Sequence, residues 1–140
     1  MTSSQSVSSS RAPVPVGPYP HARRVGSLLF VSGTGPRVPG SNEVPGNVVD
    51  SNGRVVEHDI ECQARQCFAN IRAILEDAGS SWDKIVDVTV FLTDMAGDFA
   101  RFNRVYGEHF TANQPTRTTV EVGALPTPIH VELKVIATID

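Results

Sequence analysis

The chain predicts an α+β fold, a mixed β-sheet with two helices packed on one face, and three patterns carry that expectation. Ile60, Ala64, Cys67, Phe68, Ile71, Leu75 and Ala78 recur at three and four residues and run into Gly79, a helix-stopping residue. Phe99, Phe102, Tyr106 and Phe110 return to helical spacing before Gln114-Pro115 ends the segment. The remaining periodic segments alternate or are β-rich. The order strand, strand, helix, strand, helix, strand, strand suits helices gathered on one sheet face.

The first ten residues hold six serines, too little apolar surface to offset the entropy of ordering, so residues 1–12 are expected to form a flexible tail ahead of a single domain over 13–140. Arg23 to Val25 and Leu28 to Ser32 flank Gly26-Ser27, the composition of a tight hairpin. From Gly33 to Asn52 glycine, proline and asparagine accumulate, which reads as a long surface loop. Val86, Val88, Val90 and Leu92 alternate with Asp87, Thr89, Phe91 and Thr93, giving a strand with one apolar face.

Two β-rich runs close the chain, Arg117 to Val122 and Ile129 to Ala137, separated by Gly123 to Pro128. Their proximity predicts an antiparallel pair with Thr119 opposite Glu132 and Arg117 opposite Lys134. In that register Thr118, Val120, Val122, Ile129, Val131, Leu133 and Val135 pack under the helices. Arg117, Thr119, Glu121, His130, Glu132 and Lys134 share the other face. Such a face is equally that of a solvated sheet or of a binding surface. Arg117, opening a strand just after Pro115, is placed to aim its guanidinium at a carboxylate.

Other residues carry two readings each. Tyr19, between Pro18 and Pro20, either anchors the tail or directs one ring into a cleft. Ser32-Gly33-Thr34-Gly35 allows close backbone approach to a ligand but lacks the further glycine and lysine of a phosphate loop. Asn103 either donates a hydrogen bond or sits on the helix surface. Cys62 and Cys67 fall on different faces of one helix and read as small semi-buried side chains.

Composition narrows the function classes. A formal charge of −3 and a pI near 5.8 give no basic field for nucleic acid. No run approaches the ~20 apolar residues of a membrane span, and no secretory core precedes Pro13, so a cytoplasmic location is expected. His21, His58, His109 and His130 are scattered, without the close pairing of a metal site. No serine lies in a Gly-x-Ser-x-Gly elbow.

Taken together, Gly17-Pro18-Tyr19, the strand Leu28 to Gly33, the helix bearing Gln63-Ala64-Arg65-Gln66 and Asn70, the run Arg117 to Val122, Leu125-Pro126 and Val131-Glu132-Leu133 resemble the reactive intermediate deaminase (RidA) family, in order from about Val16 to the C-terminus. Among its branches the chain looks most like bacterial 2-aminomuconate deaminase. The resemblance implies a chorismate-mutase-like fold assembled as a homotrimer, clefts lined by two neighbouring subunits, and no cofactor. It implies that Arg117 grips a substrate carboxylate, that Glu132 positions water, and that Tyr19, Ser32, Gly33 and Asn103 line the cleft. Where many relatives carry cysteine this chain has Thr119, and where many carry a second glutamate it has Lys134. Both departures shift the cleft toward positive charge and hydroxyl donors, which suits a dicarboxylate. A carboxylate near the arginine is expected to have a lowered pKa, so that Glu132 orients water rather than abstracting its proton. The alternatives are a broad scavenger of 2-aminoacrylate-type enamines and a keto-acid-binding trimer without turnover. The loop from Pro36 to His58 is longer than in generic members, which leaves it able to cover the cleft or to reach a neighbouring subunit.

Overall fold

Alternating apolar residues and a few bulges build most of the molecule, which the computed structural model describes over residues 4–140. The strands are β1 (Ser4–Val7), β2 (Ala22–Val25), β3 (Leu28–Thr34), β4 (Val48–Val49), β5 (Val55–Glu57), β6 (Ile85–Leu92), β7 (Thr116–Glu121) and β8 (Val131–Thr138). The helices are α1 (Ile60–Ala78) and α2 (Met95–His109). Six strands form one sheet in the order β1-β2-β3-β8-β6-β7, and β4 and β5 make a separate two-stranded ribbon. The α+β architecture expected from the sequence is therefore present.

The helices form where the periodicity placed them because both ends are satisfied. Asp59 caps α1 by accepting from the Glu61 and Cys62 amides, and Gly79 closes it at φ 90. Asp94 caps α2 through the Gly97 amide. The inward faces of the sheet and the helices meet in one apolar cluster centred on Val31, Phe68, Ile71, Val90, Phe102 and Leu133. Truncating such a side chain typically costs about 2–5 kcal/mol. The β2–β3 hairpin turns on Gly26 at φ 61, a conformation glycine takes without steric cost.

Four expectations need correction. Residues 4–12 are not a free tail; Met1 to Ser3 lie outside the described residues. β1 pairs antiparallel with β2 from Ser4↔Val25 to Val7↔Ala22. Beyond it the Ser9 hydroxyl donates to Asp77 at 2.6 Å, and Ala12 is buried in the core. Backbone pairing and single polar contacts order this segment, and composition registers neither.

Val86 does not share a face with Val88. Ile85 faces Ala137 and Asp87 faces Ile136, so β6 carries an extra residue there. The bulge turns Val86 outward and buries Ile85 in its place.

The two last strands do not pair. α2 carries the chain back so that β7 runs parallel to β6, as a helical crossover requires, while β8 pairs antiparallel with β6 on its other side. The segment after β7 crosses the end of β6: the Val122 amide donates to Leu92 O and the Thr93 amide to His130 O. Consequently the assumed register fails for β7. Arg117 stands beside Val88 and Thr119 beside Val90, on the side covered by helices, and Val120 is outside.

His58 and His130 are not scattered. Their rings stack at 3.8 Å, 5° from parallel, and His58 Nε2 lies 2.7 Å from the buried Asp98 carboxylate. Asn47 donates to Pro128 O at 2.7 Å, so the long loop is fastened across the segment that leads into β8.

Candidate functional site

The sequence-nominated residues gather at two places rather than one. The first is built by β7 and α2. Thr116 fixes the start of β7 by donating to Asp87 at 2.6 Å. Arg117 then projects beneath α2, its guanidinium carbon 4.5 Å from the Tyr106 ring centroid, 5.3 Å from that of Phe102 and 5.8 Å from that of Phe99. Its Nε donates to Thr119 Oγ1 at 2.8 Å, leaving the terminal amino groups of the fork directed away from that bond. Burial lowers its pKa from the ordinary guanidinium value, yet a guanidinium remains charged. Among the described residues Arg117 has no ion-pair partner.

Two further polar atoms on α2 lack partners among the described residues: Asn103 Oδ1 and the Tyr106 hydroxyl, both buried. Helical spacing puts them on the same stripe of α2 as Phe99 and Phe102. A desolvated guanidinium under the Tyr106 ring suits an anion to which the hydroxyl can also donate, whereas Asn103 Oδ1 calls for a donor.

The second place lies on the open face, where β3 meets β8. Val31 faces Val135 and Thr34 faces Leu133, so β3 holds one extra residue in between. That bulge lets Val31 and Thr34 both turn inward, and it presents Ser32 and Gly33 to the open side. A methyl group at Gly33 would lie 2.6 Å from Glu132 Oε2, so only glycine lets the carboxylate rest against this backbone. The Ser32 hydroxyl donates to Pro20 O at 2.7 Å, tying the bulge to the Tyr19 segment. Tyr19, Ser32, Gly33, Pro126, Glu132 and Lys134 line a shared cavity of about 370 Å³.

Burial raises the Glu132 pKa above its ordinary value, with no cation contributing to the shift. The expected lowering is thus overturned in the single chain, because Arg117 is not its neighbour. A glutamate of this kind can exchange a proton closer to neutrality.

Within one chain Arg117 and Thr119 are brought together beneath α2, which carries Asn103 on the stripe of Phe99, Phe102 and Tyr106, and Tyr19, Ser32, Gly33, Glu132 and Lys134 share one cavity. The two groups sit on opposite faces of the sheet: Arg117 aligns with the fully buried Val88, and Glu132 aligns with Phe91 on the other face. Sequence reasoning missed the aromatic box around Arg117, since Phe99, Phe102 and Tyr106 at helical spacing read simply as core. The crossover topology is the signal that would have placed them over Arg117 of β7. Arg37 was also missed; it borders the Glu132 cavity beside Tyr19 and donates to Asn42 and to Val14 O.

Comparison with known proteins places this arrangement in context. The family model described as endoribonuclease L-PSP matches residues 9–139. A RutC family protein of Pyrococcus abyssi is 41% identical over 127 residues, covering 91% of each chain. The crystal structure of the YjgF gene product from E. coli superimposes with a TM-score of 0.83 at 35% identity, over 96% of this chain and 98% of that one. E. coli TdcF, solved with bound serine, gives a TM-score of 0.84 at 35% identity, over 97% of this chain and 99% of that one.

Proposed function

The chain belongs to the endoribonuclease L-PSP family, which includes the RidA and YjgF proteins, and on that premise we propose that it is an enamine and imine deaminase acting on an unsaturated 2-amino acid. The observation that carries the reading is Arg117: a guanidinium boxed by three aromatic rings, oriented by Thr119 and, among the described residues, without an acidic partner. A substrate carboxylate supplies the missing charge in bidentate fashion.

The two groups complete each other when a second copy presents its Arg117 side to the Glu132 cavity, so the working unit is a homotrimer with one cleft per interface. The opposite-face placement of Arg117 and Glu132 supports this, as do the unpartnered Asn103 and Tyr106 atoms. The reaction then needs orientation and a proton route. The enamine tautomerises to an imine, and water attacks the imine carbon. Glu132 in its charged form takes a proton from that water as the C–O bond forms and returns it to nitrogen, and it then carries the carbinolamine hydroxyl proton to the same nitrogen. The C–N bond breaks, ammonia leaves and a 2-oxo acid remains. No cofactor is required for these steps. With 2-aminomuconate the organic product is 4-oxalocrotonate, or its 2-hydroxymuconate tautomer, which places the enzyme in aromatic-compound catabolism in the cytoplasm. Among the described residues no helix is long and apolar enough to cross a membrane.

A broad monocarboxylate scavenger is the second reading, favoured by the serine bound in E. coli TdcF. Ammonia release from freshly generated 2-aminomuconate and 2-aminoacrylate, by the parent and by Arg117→Ala, tests both. Arg117-dependent release with a strong preference for 2-aminomuconate supports the pathway enzyme. Equal rates support the scavenger, and no release above the uncatalysed rate leaves a keto-acid-binding trimer. The family description also names RNA cleavage, which the net charge of −3 disfavours; cleavage of RNA by the parent at comparable rates sinks the deaminase reading.

A further inference from the structure

β8 sets Glu132 and Lys134 two residues apart, so both project from the open face of the sheet into the same cavity. Lys134 is half-buried there, and its Nζ donates to Val31 O at 2.7 Å, at the point where β3 begins to slip out of register with β8. An ammonium carries three donors, so this one contact steers the group and leaves two directed elsewhere. Among the described residues it forms no ion pair, and Glu132 is not within salt-bridge distance of it. Burial lowers its pKa with no acid opposing the shift.

Arg37 lines an adjoining cavity that shares Tyr19, Gly33, Pro126 and Glu132, but its two terminal nitrogens are already engaged, one with Asn42 and one with the Val14 carbonyl. It acts as a clamp between the N-terminal segment and the long loop. Lys134 alone combines a fixed position, spare donors and an uncompensated charge at the cavity wall. A cation held out of bulk water in this way binds an anion more strongly than a solvated lysine does.

We propose that Lys134 determines specificity by receiving the distal carboxylate of a dicarboxylic substrate whose first carboxylate is held by Arg117. This rests on the reading above that Arg117 seats a 2-amino acid at an interface between copies. The site then favours dicarboxylic over monocarboxylic enamines, and it carries a cation for each end of the substrate with the reacting carbon between them, near Glu132.

The assembled full-length protein is compared with Lys134→Gln, Lys134→Arg and Lys134→Glu in two measurements: kcat/KM on 2-aminomuconate and on 2-aminoacrylate, and calorimetric binding of 2-oxoglutarate and 2-oxobutanoate. Lys134→Gln is expected to reduce kcat/KM on the dicarboxylate about 10- to 100-fold more than on the monocarboxylate, mainly through KM, the usual scale for losing one charged hydrogen bond. Lys134→Arg retains the preference and Lys134→Glu reverses it. An equal fall on both substrates, with weakened assembly in sedimentation, assigns Lys134 to an interface and overturns the proposal. A preference unchanged by Lys134→Gln overturns it as well. If neither substrate releases ammonia, the deaminase reading fails separately. The binding arm then decides: tighter 2-oxoglutarate than 2-oxobutanoate in the parent but not in Lys134→Gln upholds the seat, and equal binding in both removes it.

Discussion

The arginine side and the glutamate side of this molecule hold their ionisable groups by different means. Arg117 is immobilised by side chains, three aromatic rings and a threonine hydroxyl. Glu132 lies against backbone, its carboxylate filling the space that a Cβ at Gly33 of the bulged strand would occupy. Burial opposes the charge of both, lowering the Arg117 pKa and raising that of Glu132, but a guanidinium stays charged whereas a carboxylate exchanges its proton. On the proposed reading, binding belongs to the charged side and chemistry to the side whose charge is adjustable, and the two make one site only between copies.

The largest effect tests whether the two sides meet across copies. Arg117→Ala and Glu132→Gln are each expected to lose about 10²–10³-fold in kcat/KM, the scale of removing a substrate-orienting or proton-transferring group. Unfolding, mixing and refolding the two inactive variants should restore activity, because in a random trimer about a quarter of interfaces pair an intact Arg117 with an intact Glu132. Mixed refolding that recovers nothing, while each variant still assembles, breaks the comparison as drawn.

Next comes Gly33→Ala. Its methyl group would meet the Glu132 carboxylate at 2.6 Å, so Glu132 must move. Displacement of a reacting group by about 1 Å costs on the order of 10²-fold. The loss should appear in kcat, with binding of a 2-oxo acid to the Arg117 side little changed in calorimetry. A parallel loss of binding would show that the two sides are not separable.

How far the sequence revealed this division depends on which interactions are local. Helix α1 was legible from spacing and its closing glycine, and the β2–β3 hairpin from Gly26-Ser27, because each is decided within a few residues. The partner of β7 was not legible. Gly123 to Pro128 looks like a hairpin connection, yet β6 occupies the place between β7 and β8, and that choice is made by the α2 crossover far upstream. One misplaced partner reversed the face assigned to Arg117 relative to Glu132. The identities of Tyr19, Ser32, Gly33, Glu132 and Lys134 came from their resemblance to a family pattern, and the structure adds that they line one cavity. The bulges at Val86 and at Ser32-Gly33 leave no trace in apolar periodicity, since each inserts one residue without changing composition. The His58–His130 stack bridges 72 positions of chain and is invisible to spacing.

A smaller effect concerns the pH dependence of stability. The folded-state pKa of Glu132 lies above its ordinary value of 4.5 because burial disfavours the charged form. Folding therefore favours the protonated carboxyl, and that contribution is full below the ordinary value and is lost as pH rises through the folded-state pKa. Glu132→Gln, neutral throughout, should melt above the parent at pH 7, and the gap should close as pH falls below the ordinary glutamate range. A parent that melts higher at pH 7 would mean that Glu132 is paired with a cation in the assembly, bringing the two sides into direct contact.

The smallest effect separates a ligand from a neighbour on the arginine side. The Tyr106 hydroxyl is buried without a partner, and burial raises its pKa, so it stays protonated across the working range. A buried donor without an acceptor costs roughly 1–3 kcal/mol relative to its solvated state. Tyr106→Phe removes that penalty while keeping the ring over Arg117, so the free protein should be as stable as the parent or slightly more so in thermal melts. If the hydroxyl meets the substrate carboxylate held by Arg117, the same change raises KM by about 3- to 10-fold, the scale of a neutral hydrogen bond. If it meets a neighbouring chain instead, Tyr106→Phe lowers the melting temperature and shifts the assembly toward smaller species at low concentration, with KM unchanged. Because Arg117 leaves its terminal nitrogens free beside this ring, the rise in KM without loss of stability is the expected result.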